Sequence, residues 1–207
     1  MTYQPPRART GEKYEAIVEA SRAHFLADGF AGTRMEPIAK SAKVSTATVY
    51  AYFPGKEDLF EAMVAATIDD LKPRFSPDTQ HRAAREKLMR FCLAGATFLS
   101  HPDVRALFRL MIAEGQRFAR SRDLFERETI TQAVAGGSAL VAELVASGEL
   151  VDCDPAKVTR QLMGMIEHDV LLLAMLSADD RFSFRPIEET CQDAVDAILR
   201  SYGANPS

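Results

Sequence analysis

An all-α fold is expected of this 207-residue chain: an N-terminal three-helix head built on a helix-turn-helix, then a C-terminal helical bundle. Apolar residues recur at three- and four-residue spacing through head and body alike, the period of helices buried on one side. Start and stop residues punctuate that pattern, Ser45 and Asp154-Pro155 as starts and Gly29 as a stop. Between them, TRMEPIAKSAKVSTATVYAYFPGK at 33–56 fits two short helices around a turn about as tight as crossing helices allow.

In order, residues 1–11 form a polar arm bearing Arg7 and Arg9. The first helix is expected over 12–28, with Tyr14, Ile17, Val18, Ser21 and Phe25 on one stripe, Gly29 ending it and Phe30 plugging the head's core. His24, near that stripe, reads as a packed or surface histidine. Thr33 and Glu36 have capping-box spacing, so the second helix is expected to open at Thr33, with Met35, Ile38, Ala39 and Ala42 inward. Pro37 sits early in it, at a cost of one backbone hydrogen bond. Ser45 caps the third helix, whose inward residues Val49 and Phe53 stand four apart.

After Pro54-Gly55, a helix over 56–71 is long for a satellite of the head, and the domain boundary is placed inside it: 1–60 head, 61–207 body. Pro73 and Pro77 bracket a loop. The body reads as helices over 82–99, from Val104 to Gly115, through RFARSRDLFERE to Ser147, from Asp154-Pro155 onward, and over 186–202. Residues 162–176 are apolar nearly all round, and a helix apolar on every side must be covered on every side. A second copy of the chain is the readiest cover.

The third helix suits a phosphate-lined groove. Thr46, Ala47 and Thr48 make a first turn small enough for close backbone approach to base edges. Threonine hydroxyls can donate to phosphates or bases, and a methyl can meet a thymine methyl. Tyr50 and Tyr52 carry hydroxyls on rigid rings. Lys56, in the first turn of the next helix, joins free N–H groups in an expected anion site. Arg, Asn and Gln are missing from 45–53, so selectivity is expected to lean on methyl contacts, water and DNA shape.

TRMEPIAKSAKVSTATVYAYFPGKEDLF, with its lead-in EKYEAIVEASRAHFLADGF, resembles the DNA-binding motif of the tetracycline-repressor (TetR) family of bacterial transcription regulators. The resemblance is specific over 12–60 and general beyond it. It implies a regulator, most often a repressor, bound to a duplex DNA operator through Arg34, Lys43, Ser45, Thr46, Ala47, Thr48, Tyr50, Tyr52 and Lys56. It further implies a homodimer through the last two helices and a small-molecule inducer in the body. Lys43 stands where the family has Gly in the turn; a positive φ there costs lysine about 1 kcal/mol.

Candidate ligand-lining residues are Phe91, Phe98, Phe108, Met111, Phe118, Phe125 and Met163, several of them also good core residues; their character suggests a lipophilic or aromatic inducer. Glu167 and His168 either face that pocket or are ordinary paired and solvated groups. Glu167, His168 and Asp169, adjacent on a helix, are expected to point about 100° apart and not converge.

Composition bounds the alternatives. At 47% hydrophobic and 26% charged, the chain is ordinary globular material rather than disordered. The N-terminus is polar, with no signal segment behind it. The most apolar run, 170–175, falls far short of the ~20 residues of a membrane helix. Cys92, Cys153 and Cys191 are too few and scattered for a disulfide framework or zinc site; Cys153 is either a reactive thiol or a passive loop residue. No enzymatic constellation is present, no cofactor or metal is expected, and a reducing cytoplasm is the expected location. The net charge of −4 is uneven: residues 1–56 carry eight Lys/Arg against five Asp/Glu, leaving 17 against 24 in the remainder. Because screening confines charge effects to ~10 Å at 0.1 M salt, a basic head on an acidic body still attracts phosphate.

Overall fold

The computed structural model describes residues 11–71, 83–175 and 185–204. Arg7, Arg9, Pro73 and Pro77 lie outside the described residues. Within them every regular element is helical, and the sole extended pairing is an isolated bridge between Leu150 and Gly203. The helices are α1 (Glu12–Gly32), α2 (Met35–Ser41), α3 (Thr46–Tyr52), α4 (Lys56–Leu71), α5 (Ala84–Ser100), α6 (Pro102–Glu114), α7 (Ala119–Phe125), α8 (Gln132–Ala146), α9 (Pro155–Glu167), α10 (Leu173–Met175) and α11 (Ile187–Tyr202). Wide π-type turns, Glu126–Thr131 and His168–Leu172, separate α7 from α8 and α9 from α10.

The chain folds as two compact units. The first takes Met1–Leu71 together with Ala106–Glu126. Its core is aromatic: Phe60 meets Phe25 and Phe30 edge-on at 5.2 and 5.3 Å, and Phe118 lies 4.4 Å from Phe60 and 4.7 Å from Phe30. Ile17, Ile38, Val49, Leu59 and Met63, all fully buried, complete it. The expected stripe of α1 is the buried one, and Gly29 interrupts the helix at φ 69°, a left-handed value that glycine adopts without strain. Arg22 ties α1 to Asp70 on α4.

The second unit takes Lys72–Arg105 and Arg127–Ser207, with α5, α8, α9 and α11 around one core. Asp154 caps α9 as expected, accepting from the N–H groups of Ala156 and Lys157 at 2.9 and 3.2 Å ahead of Pro155 at the first helical position. Lys87, nearly buried on α5, donates to Glu143 on α8 at 2.6 Å. Arg105, buried, donates to the carbonyl of Val170 at 2.8 Å, inside the second π turn. By length and composition Ala119–Ala146 reaches the apolarity of a membrane span, with mean hydropathy 1.3 over its best window. Its C-terminal part nonetheless buries Gly137, Val141 and Leu144 within the second unit.

Candidate nucleic-acid interface

At the start of the helix-turn-helix the structure departs from the capping-box expectation. Thr33 does not cap α2: its hydroxyl donates backwards, to the carbonyls of Gly29 at 2.7 Å and His24 at 3.2 Å, closing the end of α1. Helix α2 starts at Met35 with Arg34 as its N-cap and no side-chain bond. Pro37 is therefore the third helical residue, where the N–H has no intrahelical acceptor, and its backbone cost vanishes.

The turn is a Schellman motif. Val44 donates to Ala39 at 3.0 Å and Lys43 to Lys40 at 3.1 Å, with Lys43 at φ 55°. That pair of bonds reverses the chain in two residues and delivers Ser45 as the cap of α3. Ser45 Oγ accepts from the Thr48 N–H at 3.1 Å and exchanges a hydrogen bond with the Thr48 hydroxyl at 2.8 Å. Val49 and Phe53 pin α3 to the core.

What this leaves outward is a short face. Arg34, Lys43, Ser45 and Ala47 are exposed, Thr46 is half-buried, and Tyr50 is 50% exposed, one of the large residues the core leaves out. The Thr48 hydroxyl already has a local partner. Tyr52 is half-buried, its ring edge-on to Tyr14 at 6.3 Å.

The expected anion site at the start of α4 is not formed. The Gly55 N–H is taken by Asp58 Oδ2 at 3.0 Å, and Glu57 and Asp58 make the first turn acidic. Lys56 Nζ donates to the carbonyls of Phe30 at 2.7 Å and Thr33 at 3.0 Å, and sits 4.4 Å from the Phe30 ring centroid. Its charge closes the base of the α2–α3 excursion. Arg117, which no sequence motif singled out, lies against the same ring at 4.5 Å and pairs with Glu57 at 3.2 Å. The sequence offers three arginines in RFARSR at 117–122, and nothing in that pattern distinguishes Arg117 from Arg120 or Arg122.

The candidate ligand residues do not form one cluster. Phe108, Met111, Phe118 and Phe125 belong to the first unit, where Phe108 meets Phe125 edge-on at 4.7 Å in the aromatic core. Phe91, Phe98, Met163 and Glu167 are half-buried in the second. Burial pushes the Glu167 carboxyl above its usual range. His168 is exposed and exchanges a hydrogen bond with its neighbour Asp169 at 2.8 Å, so those two adjacent side chains do meet, within the second π turn. Cys153 is half-buried, and burial, then Asp152 and Asp154, raise its thiol above the usual value, the wrong direction for a reactive thiolate.

On the second unit, α9 and α11 border a groove of about 440 Å³ lined by Gln161, Gly164, Met165, Ala197, Ser201 and Tyr202. Lys157, Arg160, Gln161, Gly164, Met165, His168 and Leu172 are exposed along one side of 155–175, so this segment buries one face and leaves the other open rather than being covered all round.

Comparison with known proteins agrees with this geometry. Residues 17–63 match the bacterial regulatory proteins of the tetR family, and residues 86–204 match the C-terminal domain of AefR-like transcriptional repressors. The HTH-type transcriptional regulator RutR of Escherichia coli O157:H7 is 30% identical over 159 residues, spanning 75% of this chain and 73% of the relative. Among solved structures, a TetR-family transcriptional regulator from Mesorhizobium loti MAFF303099 superposes with a TM-score of 0.73 at 26% identity, covering 94% of this chain and all of that one. The flavonoid-responsive regulator FrrA does so at 0.69 and 25%, covering 94% and 98%. With both halves matched in sequence and the whole matched in fold, the chain belongs to the TetR family of helix-turn-helix transcriptional regulators.

Proposed function

We propose that the chain works as a homodimeric repressor, released from a two-fold DNA operator by a small lipophilic or aromatic ligand, and that it carries out no catalysis. Residues 1–60 read DNA, and 61–207 bind ligand and pair the subunits. The observation that carries this reading is the exposed face of α3, which Ser45 and the Schellman turn hold clear of the core. Thr46, Ala47 and Tyr50 meet base edges and phosphates, with Arg34, Lys43 and Ser45 on the flanking backbone. Thr48, Tyr52 and Lys56, each with a partner inside the head, support that face rather than contact DNA.

The exposed stripe through Met165 and Leu172 and the groove beside α11 support pairing through the last two helices, because a second copy covers both at once. Among the ligand candidates, Phe91, Phe98, Met163 and Glu167 remain, a largely apolar set with one carboxyl. That FrrA is flavonoid-responsive fits an aromatic ligand. A ligand that favours the DNA-incompetent state by about 1–3 kcal/mol relieves repression roughly 5–150-fold.

Fluorescence anisotropy on a selected operator tests the reading. Tyr50→Ala is expected to weaken binding about tenfold, the cost of one phosphate or base contact, while thermal unfolding stays at the wild-type temperature because half the side chain is already in solvent. Wild-type affinity in Tyr50→Ala contradicts the assigned face.

A further inference from the structure

We infer that Arg117 is a positioning residue for DNA reading: it locks the base of the helix-turn-helix to the α6–α7 segment without touching DNA. The inference rests on the DNA-binding role assigned to α3 and adds to it how that helix is held.

Residues 34–55, which contain α2, the turn and α3, form an excursion from the head whose two ends are 30–33 and 56–57. Lys56 closes those ends on each other, since its amine donates to the carbonyls of both Phe30 and Thr33. Those contacts lie entirely within the N-terminal segment. Arg117 comes from the connection between α6 and α7 and grips the same two ends at once. Its guanidinium lies over the rings, 4.5 Å from the Phe30 centroid and 5.4 Å from that of Phe118, and bonds Glu57 at 3.2 Å.

An exposed ion pair by itself contributes little, and the Glu57 and Arg117 side chains are both more than half exposed. The stacking is what distinguishes this pair. Phe30 and Phe118 are buried members of the aromatic core, with their rings tilted 60° to each other, so the plane of the Phe30 ring under the guanidinium is fixed. Arginine can lie flat on that plane and still point one nitrogen at a carboxylate; lysine cannot do both. The arginine therefore converts the position of α6–α7 into the position of the two ends from which the reading helices hang. If it is lost, the ends keep the Lys56 closure but gain freedom against α6–α7, and DNA binding must restore the order. The loss in affinity is bounded by what the lock contributes.

The test uses the full chain and a fluorescein-labelled duplex enriched from random DNA. Affinity is measured across a salt series for wild type, R117A, R117K, E57Q and the double variant R117A/E57Q. Expected for R117A is about a fivefold loss of affinity with the wild-type slope of log affinity against log salt. R117K is expected to recover part of that loss, and the double variant to bind no worse than R117A. Wild-type affinity in R117A overturns the inference. So does a slope shallower by about one unit, which makes Arg117 a direct phosphate contact, or losses that add in the double variant. If R117A unfolds below the assay temperature, E57Q, which keeps the guanidinium over Phe30, and R117K, which keeps only a cation there, decide the matter: weaker binding than wild type in both is expected, and wild-type affinity in both overturns the inference. A wild-type chain that binds no duplex overturns the DNA-binding assignment itself, a result separate from any difference between variants.

Discussion

Lys43 occupies the position after the α2 cap where the Schellman turn demands a left-handed backbone, and its φ of 55° shows that it accepts the demand. A β-carbon there crowds the neighbouring carbonyl at a cost of about 1 kcal/mol relative to glycine. The turn tolerates this because the two backbone bonds it makes, and the burial of Ile38, Ala39 and Val49 on either side, offset the strain. Lys43→Gly is accordingly expected to stabilise the chain by about 1 kcal/mol in denaturant unfolding; an unchanged or lower midpoint contradicts the strain argument. The same substitution removes an exposed charge from the expected DNA face, so tighter folding should accompany weaker operator binding. That the turn needed a positive φ was legible from the motif. That Thr33 closes α1 rather than opening α2 was not, because a hydroxyl has acceptors on both sides and the choice depends on where Gly29 bends the chain.

Among the elements, α3 and α9 were the easiest to place. Each begins at a side chain that caps it, Ser45 and Asp154, and such local chemistry is written in adjacent letters. Lys56 was harder. A lysine at a helix start reads as an anion site only if the N–H groups there are free, and Asp58 and two carbonyls more than twenty residues back had already claimed the partners. The approach of α8 to its neighbours shows the same limit. Gly137 is a close-packing site that periodicity does not mark: a β-carbon there falls inside contact distance of Thr159 and 2.7 Å from Phe91 Cζ. Gly137→Ala is therefore expected to destabilise the chain by about 1–3 kcal/mol through overpacking, despite the better helix propensity of alanine. A gain in unfolding midpoint contradicts that packing.

For the molecule as a whole, the division into two compact units explains what one-dimensional patterns missed. Residues 106–126 share a core with the head although residues 72–105 separate them from it in sequence, so Phe108, Met111 and Phe125 serve the head's packing rather than a pocket in the second unit. Periodicity marked them as buried; it carried no information about which core received them. The charge asymmetry, by contrast, was legible from the start, and the exposed reading face retains Arg34, Lys40 and Lys43. The all-round apolar character of 162–176 resolves into an exposed stripe through Met165 and Leu172, the surface a partner subunit is proposed to cover.

The central claim is that the outward face of α3 lies along duplex DNA, once in each subunit of a pair. Enrichment of a random duplex pool by the full-length chain, followed by footprinting of the enriched sequences, tests it most directly. Two protected half-sites in inverted repeat, centred about one helical turn or ~34 Å apart or a multiple of it, are expected, with enrichment lost in a Thr46→Ala, Tyr50→Ala double variant. No enrichment by the wild type, or the same sequences enriched equally well by the double variant, contradicts the account.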